Sequence, residues 1–141
     1  MKTIKEESFG IVPLSKDSEG WKVFVILHKE GNHWGFPKGR KAAGENPKET
    51  AARELEEETG LIVERYLQEE PMIESYQFRS RYQLVLKSVF YFPAVVTGEV
   101  KLQPEEIRDG KWILLKEAHH HLTFQEARSI CQQVMKLVER E

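Results

Sequence analysis

A single cysteine, Cys131, stands in the 141-residue sequence, so no internal disulfide framework is open to it. No apolar run approaches the ~18 residues that a membrane span requires. Residues 1–7 carry charges where a secretory leader would place its apolar core. These absences predict a cytoplasmic protein with no membrane partner. Neither sign of charge is in large excess: 21 basic and 23 acidic residues leave a formal net charge of −2, which argues against a general nucleic-acid coat protein. Repeats, low-complexity tracts and long linkers are missing too, so residues 1–141 read as one domain. With 40% hydrophobic and 31% charged residues, the composition is that of a globular chain.

The residues that are present fall in an ordered pattern. Residues 9–14 and 21–28 are β-rich runs joined by a polar turn and read as a hairpin. Residues 30–44 form a glycine-rich, basic loop with a short strand expected at 34–36. A helix follows over 47–59: Asn46 is a good N-cap, Pro47 suits the first helical position, Glu49 closes a capping box, and Gly60 supplies the stop. Strands are expected at 73–78, 84–96 and 111–115. A last helix is expected to be capped by Thr123, with Glu126 three positions on. Phe124, Ala127, Cys131, Val134 and Val138 give that helix one apolar face, where Cys131 serves as a small buried hydrophobe. Strands before, between and after two helices imply the α/β class, a mixed sheet covered by helices.

Acids crowd into residues 45–58, directly after Lys38, Arg40 and Lys41. Charge runs are usually solvated faces, but this order also suits a metal held against a polyphosphate. On the 47–59 helix, Glu54, Glu57 and Glu58 lie at i, i+3 and i+4 and share a face. Like charges at that spacing repel, so a purely structural helix gains nothing from them. A hard divalent cation with oxygen ligands would offset the repulsion. Gly39 permits a tight loop that brings backbone oxygen toward such a cation. Arg53 can pin a carboxylate or the loop through a forked bond, and Glu45 is a plausible partner for it.

The segment GRKAAGENPKETAARELEEETGL, residues 39–61, resembles the Nudix box, G-x5-E-x7-R-E-U-x-E-E-x-G-U with U aliphatic. Gly39, Glu45, Arg53, Glu54, Leu55, Glu57, Glu58, Gly60 and Leu61 fill all nine defined positions. The resemblance implies the Nudix α/β/α sandwich with a mixed sheet between helices, and hydrolysis of a phosphoanhydride bond. By the same likeness Glu54, Glu57 and Glu58, with Gly39, hold Mg²⁺ (Mn²⁺ as substitute), while Arg53, Glu45 and Gly60 shape the loop and helix. The general base is Glu54 or Glu106, the latter resembling a downstream glutamate that many members bring to the metal.

Flanking residues resemble one subfamily more closely. His33-Trp34-Gly35-Phe36-Pro37-Lys38-Gly39 is similar to the H-W-x-x-P-K-G run of asymmetric diadenosine tetraphosphate (Ap4A) hydrolases. By that likeness His33 and Lys38 contact phosphate, Tyr76 (or Tyr82 in its place) helps bind substrate, and Lys87 contacts phosphate from a strand. Phe124 either flanks an adenine ring or joins the core. The expected reaction is Ap4A to ATP and AMP, with a small nucleotide as substrate and no stable nucleic-acid partner. Two alternatives share the box: a pyrophosphohydrolase of triphosphorylated RNA 5′ ends, and a nucleoside triphosphate pyrophosphatase. A non-catalytic Nudix module that binds a nucleotide or a protein usually lacks box glutamates, and none is lacking here.

Overall fold

A computed structural model describes residues 2–140. At its centre β1 (Lys2–Asp17) and β7 (Gln83–Thr97) run parallel, in register from Lys2 opposite Gln83 to Leu14 opposite Val95. The remaining pairings are antiparallel. β2 (Gly20–His28) folds back on the end of β1 and carries β3 (His33–Gly35) and β8 (Ile107–Leu114). Where β2 has left β1, the short β4 (Lys38–Gly39) pairs with Phe9 and Gly10. The far edge of β7 is shared by β5 (Ile62–Tyr66) and β6 (Met72–Ser80). Eight strands thus form one mixed sheet.

Alternation along the strands builds two cores. Phe9, Ile11, Phe24, Ile26, Phe92 and Ala94 face α1 (Pro47–Thr59), where Ala51 and Leu55 complete the packing. Val12, Leu14, Val23, Val25, Val89 and Tyr91 face α2 (Gln125–Val138), which contributes Ala127, Ile130, Cys131 and Val134. With one helix on each face of the sheet, the α/β/α sandwich is the observed architecture. Each fully buried Leu, Ile or Phe side chain contributes about 1.5–3 kcal/mol.

α1 has the expected bounds. Asn46 accepts from the Glu49 N–H at 2.9 Å, and Glu49 accepts from the Asn46 N–H at 2.9 Å. Gly60 closes the helix with φ 80°, and a Cβ there would press on Glu99 O and Lys101 N. That tightness reflects docking of the chain after β7: Lys101 N donates to Thr59 O at 2.7 Å and Gln103 N to Glu58 O at 3.1 Å. Carbonyls left open at the helix end therefore anchor the loop that carries Glu106.

Other expectations need correction. Thr123 does not cap α2; its hydroxyl accepts from Trp34 N–H at 2.8 Å, tying β3 to the approach of the helix. Phe124 occupies the N-cap without a side-chain bond and is 51% exposed, outside the core. β1 runs well beyond 9–14 because the β7 ladder holds its exposed first residues without burial. β8 starts at Ile107 rather than at 111. β5 and a 3₁₀ helix (Leu115–His120) had no counterpart in the sequence reading. No helix among the described residues is long and apolar enough to cross a membrane.

Candidate active site

The C-terminal half of α1, the loop before β8, strands β3, β4, β6 and β7 and the start of α2 enclose a cleft of about 1000 Å³. Glu58 and Glu106 line one part of it, with Lys38, Lys87, His33, Tyr76 and Phe124 along the walls.

Arg53 organises the acidic side. Its Nε donates to Glu45 Oε2 at 2.6 Å and its Nη2 to Glu45 Oε1 at 3.1 Å, a forked pair. Nη2 also reaches Arg40 O at 3.0 Å, while Nη1 bonds Glu54 at 3.0 Å and both oxygens of Glu57. One guanidinium so joins the loop after β4 to three carboxylates of the box. The hydrogen bond from Arg53 holds the Glu45 carboxyl at about 2, and Glu45 in turn raises Arg53. Glu45 also accepts from Ala42 N–H and from the Thr50 hydroxyl, both at 2.9 Å.

Glu58 behaves differently. It is 3% exposed, and burial, then the charges of Glu54 and Glu106, push its carboxyl up to about 9. Its Oε2 is buried without a hydrogen-bond partner. Burial also raises Glu54, with Arg53 opposing. The Glu54 carboxylate lies against the Cα of Gly39, in space that any Cβ there would fill. Glu57 shares Arg53 Nη1 with Glu54, and among the described residues no three His, Cys, Asp or Glu side chains are already gathered around one metal position. The donors nevertheless fit a hard cation. An unpartnered buried carboxyl oxygen, a second carboxylate seated on glycine, and Glu106 close enough to repel Glu58 are oxygen donors of the class that Mg²⁺ and Mn²⁺ accept. Glu57, half-exposed, shares Arg53 with Glu54 and lies close enough to Glu54 to raise its carboxyl.

The cationic side centres on Lys38. Its ammonium has no hydrogen bond or ion pair among the described residues, yet its charge bears on His28, His33, Glu58, Glu74 and Lys87. Lys87 is 7% exposed and donates to the buried Ser8 hydroxyl at 2.6 Å. Burial first, then Lys38, lowers its pKa. Tyr76 sits directly across from Lys87 in the β6–β7 ladder, which places both on one face of the sheet. Tyr82, the other candidate, lies at the hairpin tip, 87% exposed and outside the cleft. His33 stacks on His28 at 4.6 Å between centroids and meets Phe124 at 5.0 Å. Burial and Lys38 lower the pKa of His33.

The sequence model of the NUDIX domain matches residues 5–133. The chain belongs to the Nudix family. Among curated relatives, Nudix hydrolase 18 (mitochondrial) of Arabidopsis thaliana is 34% identical over 104 residues, 72% of this chain and 56% of that protein. The chain thus spans little more than half the length of that relative. The RNA pyrophosphohydrolase of Nitratiruptor sp. is 30% identical over 117 residues, 77% of this chain and 75% of that one. The asymmetrical bis(5′-nucleosyl)-tetraphosphatase of Rattus norvegicus is 32% identical over 115 residues, 78% and 76% of the two chains. In fold, the Ap4A hydrolase of C. elegans in a binary complex superposes with a TM-score of 0.73 at 19% identity, covering 96% of this chain and 98% of that one. The protein is therefore a Nudix hydrolase, in a family that acts on phosphoanhydride bonds and generally needs a divalent metal.

On this Nudix frame the expected residues separate into two sets. Glu58, Glu106, His33, Lys38, Tyr76 and Lys87 share the cleft. Arg53, Glu45, Glu57 and Gly60 stand behind or beside it, where they hold α1 and its flanking loops, and Glu54, seated on Gly39, is likewise not among the lining residues. The sequence reading missed His28, Glu74, Phe78 and Glu126, all of which line the cleft. Two of these were within reach: Glu74 and Phe78 lie two residues either side of Tyr76 on a strand, hence on its face.

Proposed function

We propose that the protein is a Mg²⁺-dependent hydrolase of dinucleoside polyphosphates, cutting Ap4A asymmetrically to ATP and AMP. The observation that carries this reading is the content of the cleft beside α1. Carboxylates Glu58 and Glu106, cations Lys38 and Lys87, and aromatic rings Tyr76 and Phe124 line one continuous space of about 1000 Å³. Carboxylates suit a metal, the lysines suit phosphates, and the rings suit bases, so the cleft accommodates each part of such a substrate. Mn²⁺ substitutes for Mg²⁺ in this reading, and Glu54, Glu57, Glu58, Glu106 and Gly39 are the residues that would hold either ion.

Bound divalent cations supply charge neutralisation on phosphate and a more acidic attacking water. Lys38 and Lys87 bind and orient the phosphate chain, and their contacts strengthen as charge builds toward the leaving group. Glu54 or Glu106 takes the water proton. Arg53 acts at a distance by keeping Glu45, Arg40 and α1 in one rigid unit. Phe124 and His33 on one side, and Tyr76 on the other, exclude water around a base.

A second reading, pyrophosphate removal from triphosphorylated RNA ends, is favoured by the RNA pyrophosphohydrolase relative at 30% identity. Product analysis separates the two. Incubation with Ap4A, a nucleoside triphosphate and triphosphorylated RNA in Mg²⁺ should give ATP plus AMP from Ap4A at the highest kcat/KM. Two ADP per Ap4A, or faster turnover of the RNA, would replace the first reading.

A further inference from the structure

The polyphosphate cleft contains a carboxyl group that neither metal nor phosphate chemistry uses. Glu74 lies on β6, lines the cleft, and makes no hydrogen bond or ion pair among the described residues. Lys38 is near enough to act on it electrostatically but forms no salt bridge with it. A free carboxylate repels phosphate, so an acid in this position is placed for a different part of the substrate. Its strand neighbours identify that part. Glu74, Tyr76 and Phe78 occupy alternate positions and share one face. Tyr76 and Phe78 stack with centroids 6.2 Å apart and planes 29° apart, and both stay exposed at 38% and 42%. An exposed aromatic pair that lines a cleft is a platform for a flat ring. The carboxyl one pleat away then meets the edge of whatever ring lies on it.

We propose that Glu74 is a specificity-determining residue, its carboxyl accepting a hydrogen bond from the exocyclic amino group of an adenine ring laid on Tyr76. The inference rests on the nucleotide reading above. Burial raises the Glu74 carboxyl to about 7, with Lys38 opposing and Glu126, from α2, adding to the rise. The acid form therefore persists to near neutrality and offers a donor beside its acceptor. Adenine's amino group and adjacent ring nitrogen present the same pair in mirror order. Tyr76 and Tyr91, whose own pKa values Glu74 helps to raise, are the other titratable groups beside it.

The test measures binding of AMP and of purine riboside 5′-monophosphate, which differs only by lacking the amino group, by calorimetry. Wild type, Glu74→Leu and the nearly isosteric Glu74→Gln are compared, with Ap4A cleavage followed on the same preparations. Wild type should prefer AMP by about three- to tenfold, the scale of one hydrogen bond between neutral groups. Glu74→Leu should bring the ratio to about one, while Glu74→Gln, which keeps a carbonyl acceptor, should retain most of it. Equal binding of both nucleotides by wild type, or an unchanged ratio in Glu74→Leu, overturns the assignment. If Glu74→Leu does not fold, the wild-type ratio and Glu74→Gln decide: no preference in wild type, or its complete loss in Glu74→Gln, refutes carbonyl acceptance. Intact Ap4A cleavage without amino discrimination removes Glu74 alone; no nucleotide binding and no cleavage removes the nucleotide reading with it.

Discussion

Replacing Glu58 by glutamine should make the metal-free protein more stable while destroying its activity. Folding lifts the Glu58 carboxyl from 4.5 to about 9, chiefly by burial. Between those values the folded chain keeps a proton that the unfolded chain releases, so stability falls as pH rises through that window. Each pH unit above the unfolded value costs about 1.4 kcal/mol, so by pH 7 the penalty approaches roughly 3 kcal/mol for this 3%-exposed group. Glutamine is neutral in both states and escapes the penalty, although its amide must find partners in the same space. A net gain of about 1–3 kcal/mol at pH 7 corresponds to roughly 3–10 °C in Tm for a chain of this size. The assay is thermal unfolding in EDTA from pH 5 to 9 for both proteins. The two curves should nearly coincide at pH 5 and separate steadily as pH rises. A separation independent of pH, or a variant less stable than wild type at pH 8, would refute the assignment of a strained, proton-holding Glu58. In Mg²⁺, turnover should fall by at least about a hundredfold because one carboxylate charge is missing from the site. Near-normal turnover would remove Glu58 from the metal site.

Three further outcomes are expected. Lys38→Ala and Lys87→Ala should each lower kcat/KM on Ap4A by about 10- to 150-fold, the scale of one charge-assisted bond, with smaller losses on a nucleoside triphosphate; equal losses on both would mean that the lysines do not read chain length. Arg53→Lys should lower activity and sensitise the protein to acid. Glu45, held at about 2, contributes stability that is present above 4.5 and lost as pH falls through about 2, and a lysine cannot reproduce the fork, so acid unfolding monitored by circular dichroism should move to higher pH. Leu55→Ala, at a fully buried position of α1 against the sheet, should cost about 2–5 kcal/mol in urea unfolding.

Local chemistry made α1 readable from sequence. Its N-cap, proline, capping box and terminal glycine act within a few residues of one another, and the helix has the bounds they imply. The common face of Glu54, Glu57 and Glu58 follows from helical period alone. Arg53 meets Glu57 at i, i+4, a neighbour the helical period also supplies; that the same guanidinium reaches Glu45 and Arg40 O depends on where their loop docks, which no spacing encodes. Thr123 carried a good capping signal, but Trp34, 89 residues away, takes its hydroxyl. Phe124 then stands exposed beside His33 rather than in the core, because α2 begins one residue later.

The sequence by itself determined the family chemistry, the acidic helix and the alternating apolar faces that sandwich the sheet, since each depends on short-range period and residue type. Tertiary structure alone decided that β1 and β7 pair in parallel, that Tyr76 rather than Tyr82 faces Lys87, and that Glu58 is buried beside Glu106. Those outcomes are matters of register and docking between segments distant in the chain. Their energies come from burial and charge in the assembled cleft, and these exist only once the sheet has closed over both helices.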